Sequence, residues 1–220
     1  MSIVDLLLSL YGPPAPPIAK SPLEMILWEN VAYLADDDKR ADAFELLRTS
    51  TGLVPERIAS SEDETLLAVA RHGIVPDQTV AKLRKIAELA MSEFGGDVDS
   101  VLAMSTKEAM RSLRKFPAIG EPAAEKILMM NEAFAVLALE SNGLRVLQRL
   151  GYADDTGNYS HDYKAMRIAL APQTPIDCPW LTTAHLVLRR HGQAVCRRST
   201  PNCAHCPLAP SCAYFSRATG

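Results

Sequence analysis

Over most of this chain the apolar residues recur three and four positions apart, the spacing that lines one face of an α-helix. The clearest case runs from Pro76 to about Phe94, where Leu83, Ile86, Ala87 and Ala90 share a face. Ile3 to Leu10 repeats the pattern on a smaller scale. It is closed by Gly12 and a Pro-rich run at 13–17 that reads as an extended connector. Ser21-Pro22-Leu23-Glu24 has the form of a capping box with proline at the first helical position, and predicts a helix to about Leu34. Further helices are predicted after the aspartates at 36–38, over 54–60, 62–71 and 98–103, and after a second capping box at Ser105-Thr106-Lys107-Glu108. Beyond these come helices at 122–133, 142–150, 164–170, 179–190 and 207–215, with 151–163 as loop. No segment alternates as a half-buried strand does, and no internal repeat is found. The fold class is all-α.

The stretch Leu113 to Leu128, LRKFPAIGEPAAEKIL, organises this pattern. A helical run ends at Phe116-Pro117, turns through Ala118-Ile119-Gly120 and restarts at Glu121-Pro122, with Gly and Pro placed as helix punctuation requires. Amides at the start of a helix, with the positive end of its dipole behind them, suit an anion such as a backbone phosphate. The same stretch also reads as an ordinary αα-hairpin.

Near the C-terminal end Cys196, Cys203, Cys206 and Cys212 form C-x6-C-x2-C-x5-C within 17 residues. Four thiolates this close can wrap one metal centre, and on chemistry alone both zinc and an iron–sulfur cluster stay open. Disulfides are disfavoured by the total of five cysteines and the lack of a secretion signal.

Together, hairpin and array resemble the endonuclease III branch of the helix-hairpin-helix DNA glycosylases. FPAIG sits where that family carries L-P-G-V-G, and Leu139-Glu140-Ser141-Asn142-Gly143-Leu144-Arg145-Val146 where it carries V-D-T-H-V-x-R-V. Ile176-Asp177-Cys178 then precedes a helix ending His191-Gly192, and the cysteine loop follows with the family's spacing. The resemblance covers roughly Ser21 to Cys212. It implies two helical lobes with a cleft between them. Residues 23–134 would form a six-helix lobe holding the hairpin at 113–128, and residues 1–22 with 135–220 a cluster lobe. It further implies double-stranded DNA as partner and a [4Fe-4S] cluster held by the four cysteines.

Cleaving an N-glycosidic bond develops positive charge on the sugar, which a nearby carboxylate stabilises, once the base has been flipped into a pocket. By resemblance that carboxylate is Glu140, where the family has aspartate. The family's Schiff-base lysine position is occupied by Pro122, so strand cleavage through an amine is expected to be absent unless Lys126, one turn on, substitutes. Ala118 replaces the first hairpin glycine, where a positive φ costs free energy. Lys115, Ala118, Ile119, Gly120, Arg197 and Arg198 are the candidate DNA-binding residues. Leu34 joins them, at the place where relatives carry a base-filling glutamine, although Trp28, Tyr33 and Leu34 also suit a helix core. Glu140 alternatively caps the following helix, a task Ser141 or Asn142 can perform. Asp177 reads as an N-cap and Cys178 as a packed thiol.

Composition limits these readings. The chain has 220 residues, 48% of them hydrophobic and 6% aromatic, with a net charge of −3, and its pI is about 6.0. Such a balance argues against tight non-specific nucleic-acid binding but leaves room for a local basic face. No stretch reaches the ~20 apolar residues that span a bilayer. A cytoplasmic monomer, nucleoid-associated if bacterial, that excises a damaged or mismatched base by a monofunctional route is expected. The alternatives are a catalytically inactive DNA-binding or lesion-sensing protein of the same fold, and an iron–sulfur protein with no nucleic-acid role.

Overall fold

The computed structural model describes residues 2–32 and 35–219. Among these residues there are helices and no strands, as the periodicity predicts. Among the described residues no helix is long and apolar enough to cross a membrane. The chain divides into two compact units, Pro17–Ala133 and a split unit of Met1–Pro16 with Phe134–Gly220.

The Pro17–Ala133 unit is built on α6 (Pro76–Phe94), whose stripe of Leu83, Ile86, Ala87 and Ala90 is fully buried. Packed on it are α2 (Pro22–Asn30), α4 (Pro55–Ser60) and α5 (Asp63–Ala70), while α3 (Asp37–Thr51) packs on α5 and α2. Asp36 caps α3 by accepting from Lys39 N at 2.9 Å. Gly52 and Gly95, both left-handed, close α3 and α6. The predicted helix at 98–103 is a 3-10 helix, Val98–Ala103. It leads to α7 (Thr106–Leu113), which has both arms of its capping box, and then to α8 (Glu121–Met130). The first capping box is different. Ser21 accepts from Glu24 N, but the Glu24 carboxylate reaches Lys20 N at 2.7 Å rather than the cap's own amide. Helix α2 ends at Asn30, and the predicted extension to Leu34 lies outside the described residues.

The split unit pairs α9 (Ser141–Leu150) with α11 (Cys178–Ala194), and adds α1 (Ile3–Tyr11) against α11, with α10 (Tyr159–Leu170) and α12 (Ala213–Thr219) against α9. Two glycines let α9 and α11 meet. A Cβ on Gly192 would lie 2.6 Å from the Asn142 carbonyl oxygen, and one on Gly143 would lie 3.5 Å from Leu188 Cβ. Helix α10 starts five residues before the predicted 164. Asn158 caps it by accepting from His161 N, and the buried Asp162 accepts from Thr156 and Gln148. The polar, Gly-containing sequence before Tyr163 hid that turn. The predicted helix 207–215 is instead a 3-10 turn at Ala209–Ser211 followed by α12, because Pro210 has no amide to continue a ladder.

Candidate metal centre and nucleic-acid interface

In the Pro17–Ala133 unit the hairpin joins α7 to α8. Phe116 N donates to Leu113 O and Ile119 N to Phe116 O, while Phe116 stacks on Phe94 at 5.7 Å. Asn30 of α2 pins the turn by donating to Pro117 O at 2.9 Å. Ala118 keeps the left-handed conformation, at φ 59° with an alanine side chain. Its methyl is exposed, whereas Ile119 is 4% exposed, so Ile119 offers only backbone to a ligand. Gly120 is the N-cap of α8 and, having no side chain, makes no side-chain cap bond. The start of α8 therefore presents amides and the positive end of its dipole, as the sequence suggests.

The two lysines of this region are committed. Lys115 forms an ion pair with Glu93 at 2.5 Å, with both side chains well exposed. Lys126 pairs with Glu29 of α2, their side chains only 16% and 23% exposed. Sequence reasoning favours a surface place for Lys126, but the structure puts it half inside, against an acid on a neighbouring helix. Pro122 occupies the first turn of α8, where its missing amide costs nothing. Trp28 is half-buried and packs edge-on against the buried Phe44 at 5.5 Å. Leu34 lies outside the described residues.

In the split unit Glu140, not Ser141 or Asn142, is the N-cap of α9. Gly143 N donates to its Oε1 at 2.8 Å, and Asn142 Nδ2 donates to its Oε2 at 2.8 Å. The segment leading to Glu140 is itself held. Tyr159 donates to Leu139 O at 3.1 Å, and the buried His185 ring bonds Ala138 O at 2.5 Å. From Asn142 the network continues. Arg145 Nη2 donates to Asn142 Oδ1 at 2.7 Å and to Gly192 O at 2.8 Å, and its Nε donates to Cys196 O at 2.9 Å. Desolvation lowers the pKa of this half-buried guanidinium.

One turn on, Arg149 is the second tie to the cysteine loop. It donates to Arg197 O at 2.8 Å, to Arg198 O at 2.9 Å and to Cys196 Sγ at 3.4 Å, and its guanidinium lies 4.6 Å from the Tyr214 ring centroid. The loop carbonyls are thus pulled inward while the Arg197 and Arg198 side chains stay exposed. Cys196, Cys203, Cys206 and Cys212 line one pocket with Arg149, Tyr214 and Phe215. Among the described residues no three His, Cys, Asp or Glu side chains converge closely enough to hold a single metal ion. The four thiols share the lining of that pocket, and thiolate sulfurs are ligands both for zinc and for an iron–sulfur cluster. Burial first, then the neighbouring Cys196, Cys212 and Cys203, push the Cys206 thiol up. His205 bonds Asn202 at 2.9 Å and is exposed. Asp177 is the predicted N-cap, accepting from Trp180 N at 2.7 Å.

His191, 1% exposed, is the feature sequence reasoning missed. Its Nε2 lies 3.4 Å from Cys206 Sγ and its Nδ1 2.9 Å from the Tyr11 hydroxyl, and burial lowers its pKa to about 4. In the sequence Arg145 stands only as a member of the run 139–146, and nothing there ties it or Arg149 to residues some fifty positions away.

The hairpin between α7 and α8 and the four-cysteine loop belong to an all-helical fold among the described residues. No family model matches the chain. Its fold is that of endonuclease III: it superposes on a trapped endonuclease III–DNA covalent intermediate with a TM-score of 0.78 at 17% identity, covering 99% of this chain and 95% of that one. A thermostable thymine-DNA glycosylase superposes at 0.74 with 13% identity, over 97% and 95% of the two chains. In sequence, endonuclease III of Rickettsia conorii is 28% identical over 111 residues, 50% of either chain, so the match spans about half the length of that relative.

Proposed function

We propose that this chain binds duplex DNA and excises a damaged or mismatched base as a monofunctional DNA glycosylase, with a [4Fe-4S] cluster on its four cysteines. The observation that carries the reading is the mooring of Glu140. Its carboxylate stands at the positive end of α9, held through Asn142 and Arg145 to the backbone of the cysteine loop. A carboxylate fixed in advance is what a developing oxocarbenium ion needs, since reorganisation would otherwise cost rate. The amides at the start of α8 and the exposed Arg197 and Arg198 supply contacts for backbone phosphates. When bound, the cluster supplies a covalent brace for the loop that carries those arginines.

The route is monofunctional because position 122 has no amine and Lys126 is engaged by Glu29. An ammonium in an ion pair has no lone pair with which to attack C1′ of the sugar. A second reading, a DNA-binding protein without catalysis, draws on the same carboxylate: both Glu140 oxygens already accept hydrogen bonds inside α9.

A single-turnover assay on duplexes carrying a panel of damaged and mismatched bases separates the two, run with and without alkali beside Glu140→Gln. Strand breaks only after alkali, and none from the variant, establish the glycosylase. Breaks without alkali overturn the monofunctional route. Binding without product on every duplex selects the non-catalytic reading.

A further inference from the structure

The contact between His191 and Cys206 is supported from the far end of the chain. Tyr11, the last residue of α1, places its hydroxyl 2.9 Å from His191 Nδ1. Tyr11 is fixed in turn by Arg190, whose guanidinium lies 4.6 Å from the ring centroid and donates to the Tyr11 carbonyl at 3.2 Å. A neutral imidazole has one N–H and one lone pair. A ligating thiolate has no proton to give, so the N–H belongs on Nε2, facing Cys206 Sγ at 3.4 Å. The lone pair on Nδ1 then accepts from the Tyr11 hydroxyl. Each group in the row has one direction left.

We propose that Tyr11 and His191 are positioning residues for the four-cysteine centre: the row Tyr11 O–H to Nδ1, Nε2–H to Cys206 Sγ raises the reduction potential of the bound cluster. This rests on the cluster reading above. A donor aimed at a ligand sulfur stabilises the electron-richer state of a cluster, and such bonds are among the levers that set its potential. Arg149 acts in the same sense on Cys196, but it also holds two loop carbonyls, so its removal mixes two effects. The Tyr11 hydroxyl has no second bond among the described residues, which makes Tyr11→Phe the clean perturbation.

The test uses the full chain, reconstituted without oxygen, in four forms: wild type, Tyr11→Phe, His191→Gln and His191→Leu. Iron and acid-labile sulfide are measured first, then the midpoint potential by protein-film voltammetry and the Fe–S(Cys) stretch by resonance Raman. The expected result is a more negative potential and an altered stretch in His191→Leu, and a smaller shift of the same sign in Tyr11→Phe. His191→Gln, whose amide can still donate, stays near wild type. Wild type without iron and sulfide overturns the cluster reading and this inference together. Loaded variants with unmoved potentials overturn this inference alone, as does His191→Gln shifting as far as His191→Leu. Should His191→Leu fail to load, Tyr11→Phe decides, and an unchanged potential there refutes the row.

Discussion

Ala118 offers a quantitative test of the hairpin. It stands at φ 59° with its methyl exposed. An L-residue in the left-handed region costs roughly 1–2 kcal/mol that glycine does not incur. Against this, glycine frees the unfolded chain by about 0.4–1 kcal/mol. The exposed methyl buries almost nothing, so packing adds no third contribution. Ala118→Gly is therefore expected to stabilise the chain by about 0.5–1 kcal/mol, raising Tm by about 1–4 °C for a chain of this size. Differential scanning calorimetry measures the shift. Glu132→Gly, also at a left-handed position (φ 58°) with its side chain exposed, should move in the same direction. A fall in Tm for Ala118→Gly would mean that the alanine side chain contributes packing or order absent from this geometry, and the strain argument would fail.

Gly192→Ala drives a methyl to within 2.6 Å of a backbone oxygen and 2.8 Å of a backbone carbon of Asn142. Helices α9 and α11 must separate, at a cost of about 1–3 kcal/mol in urea unfolding, and Gly143→Ala, at 3.3 Å from the flexible Leu139 tip, should cost less. Asp162 is held below the usual carboxylate range, chiefly by the Thr156 hydroxyl, so its stabilising effect is present above the unfolded value near 3.9 and is lost as pH falls through the folded one. Asp162→Asn should be less stable at pH 7, with the gap to wild type closing below about pH 4 in denaturant titrations. Arg145→Met keeps an apolar stem but removes the bonds to Cys196 O, Gly192 O and Asn142, which should cost on the order of 2 kcal/mol and speed iron loss to a chelator.

What could be read from the sequence follows the range of the interactions. Helix α6 was legible from end to end because Pro76, Gly95 and a stripe of apolar residues are all local signals. The caps at Ser105 and Asp177 were legible for the same reason. The start of α10 was not, since its first turn is polar and is held by Asp162, an acid that periodicity assigns to solvent. Residue types in a motif marked the four cysteines and Glu140, but their environments come from partners far along the chain. Arg145 meets Cys196 across 51 positions, and Tyr11 meets His191 across 180.

That distinction bears on Glu140. From the sequence, capping and catalysis look like rival uses of one carboxylate, because Ser141 and Asn142 could cap in its place. In the structure Ser141 is the first helical residue, and the chain enters α9 with Glu140 in the extended conformation of an N-cap. The cap bond from Gly143 and the bond from Asn142 then set where both oxygens point. The side chain one methylene longer than the family's aspartate is thereby drawn back toward the helix. Placement comes from the capping itself, so the cap belongs to any catalytic role rather than excluding one. Glu140→Gln keeps an oxygen for Gly143 N and removes the charge, so folding should survive, with a loss below about 1 kcal/mol. Excision, if the charge is what the sugar requires, should not.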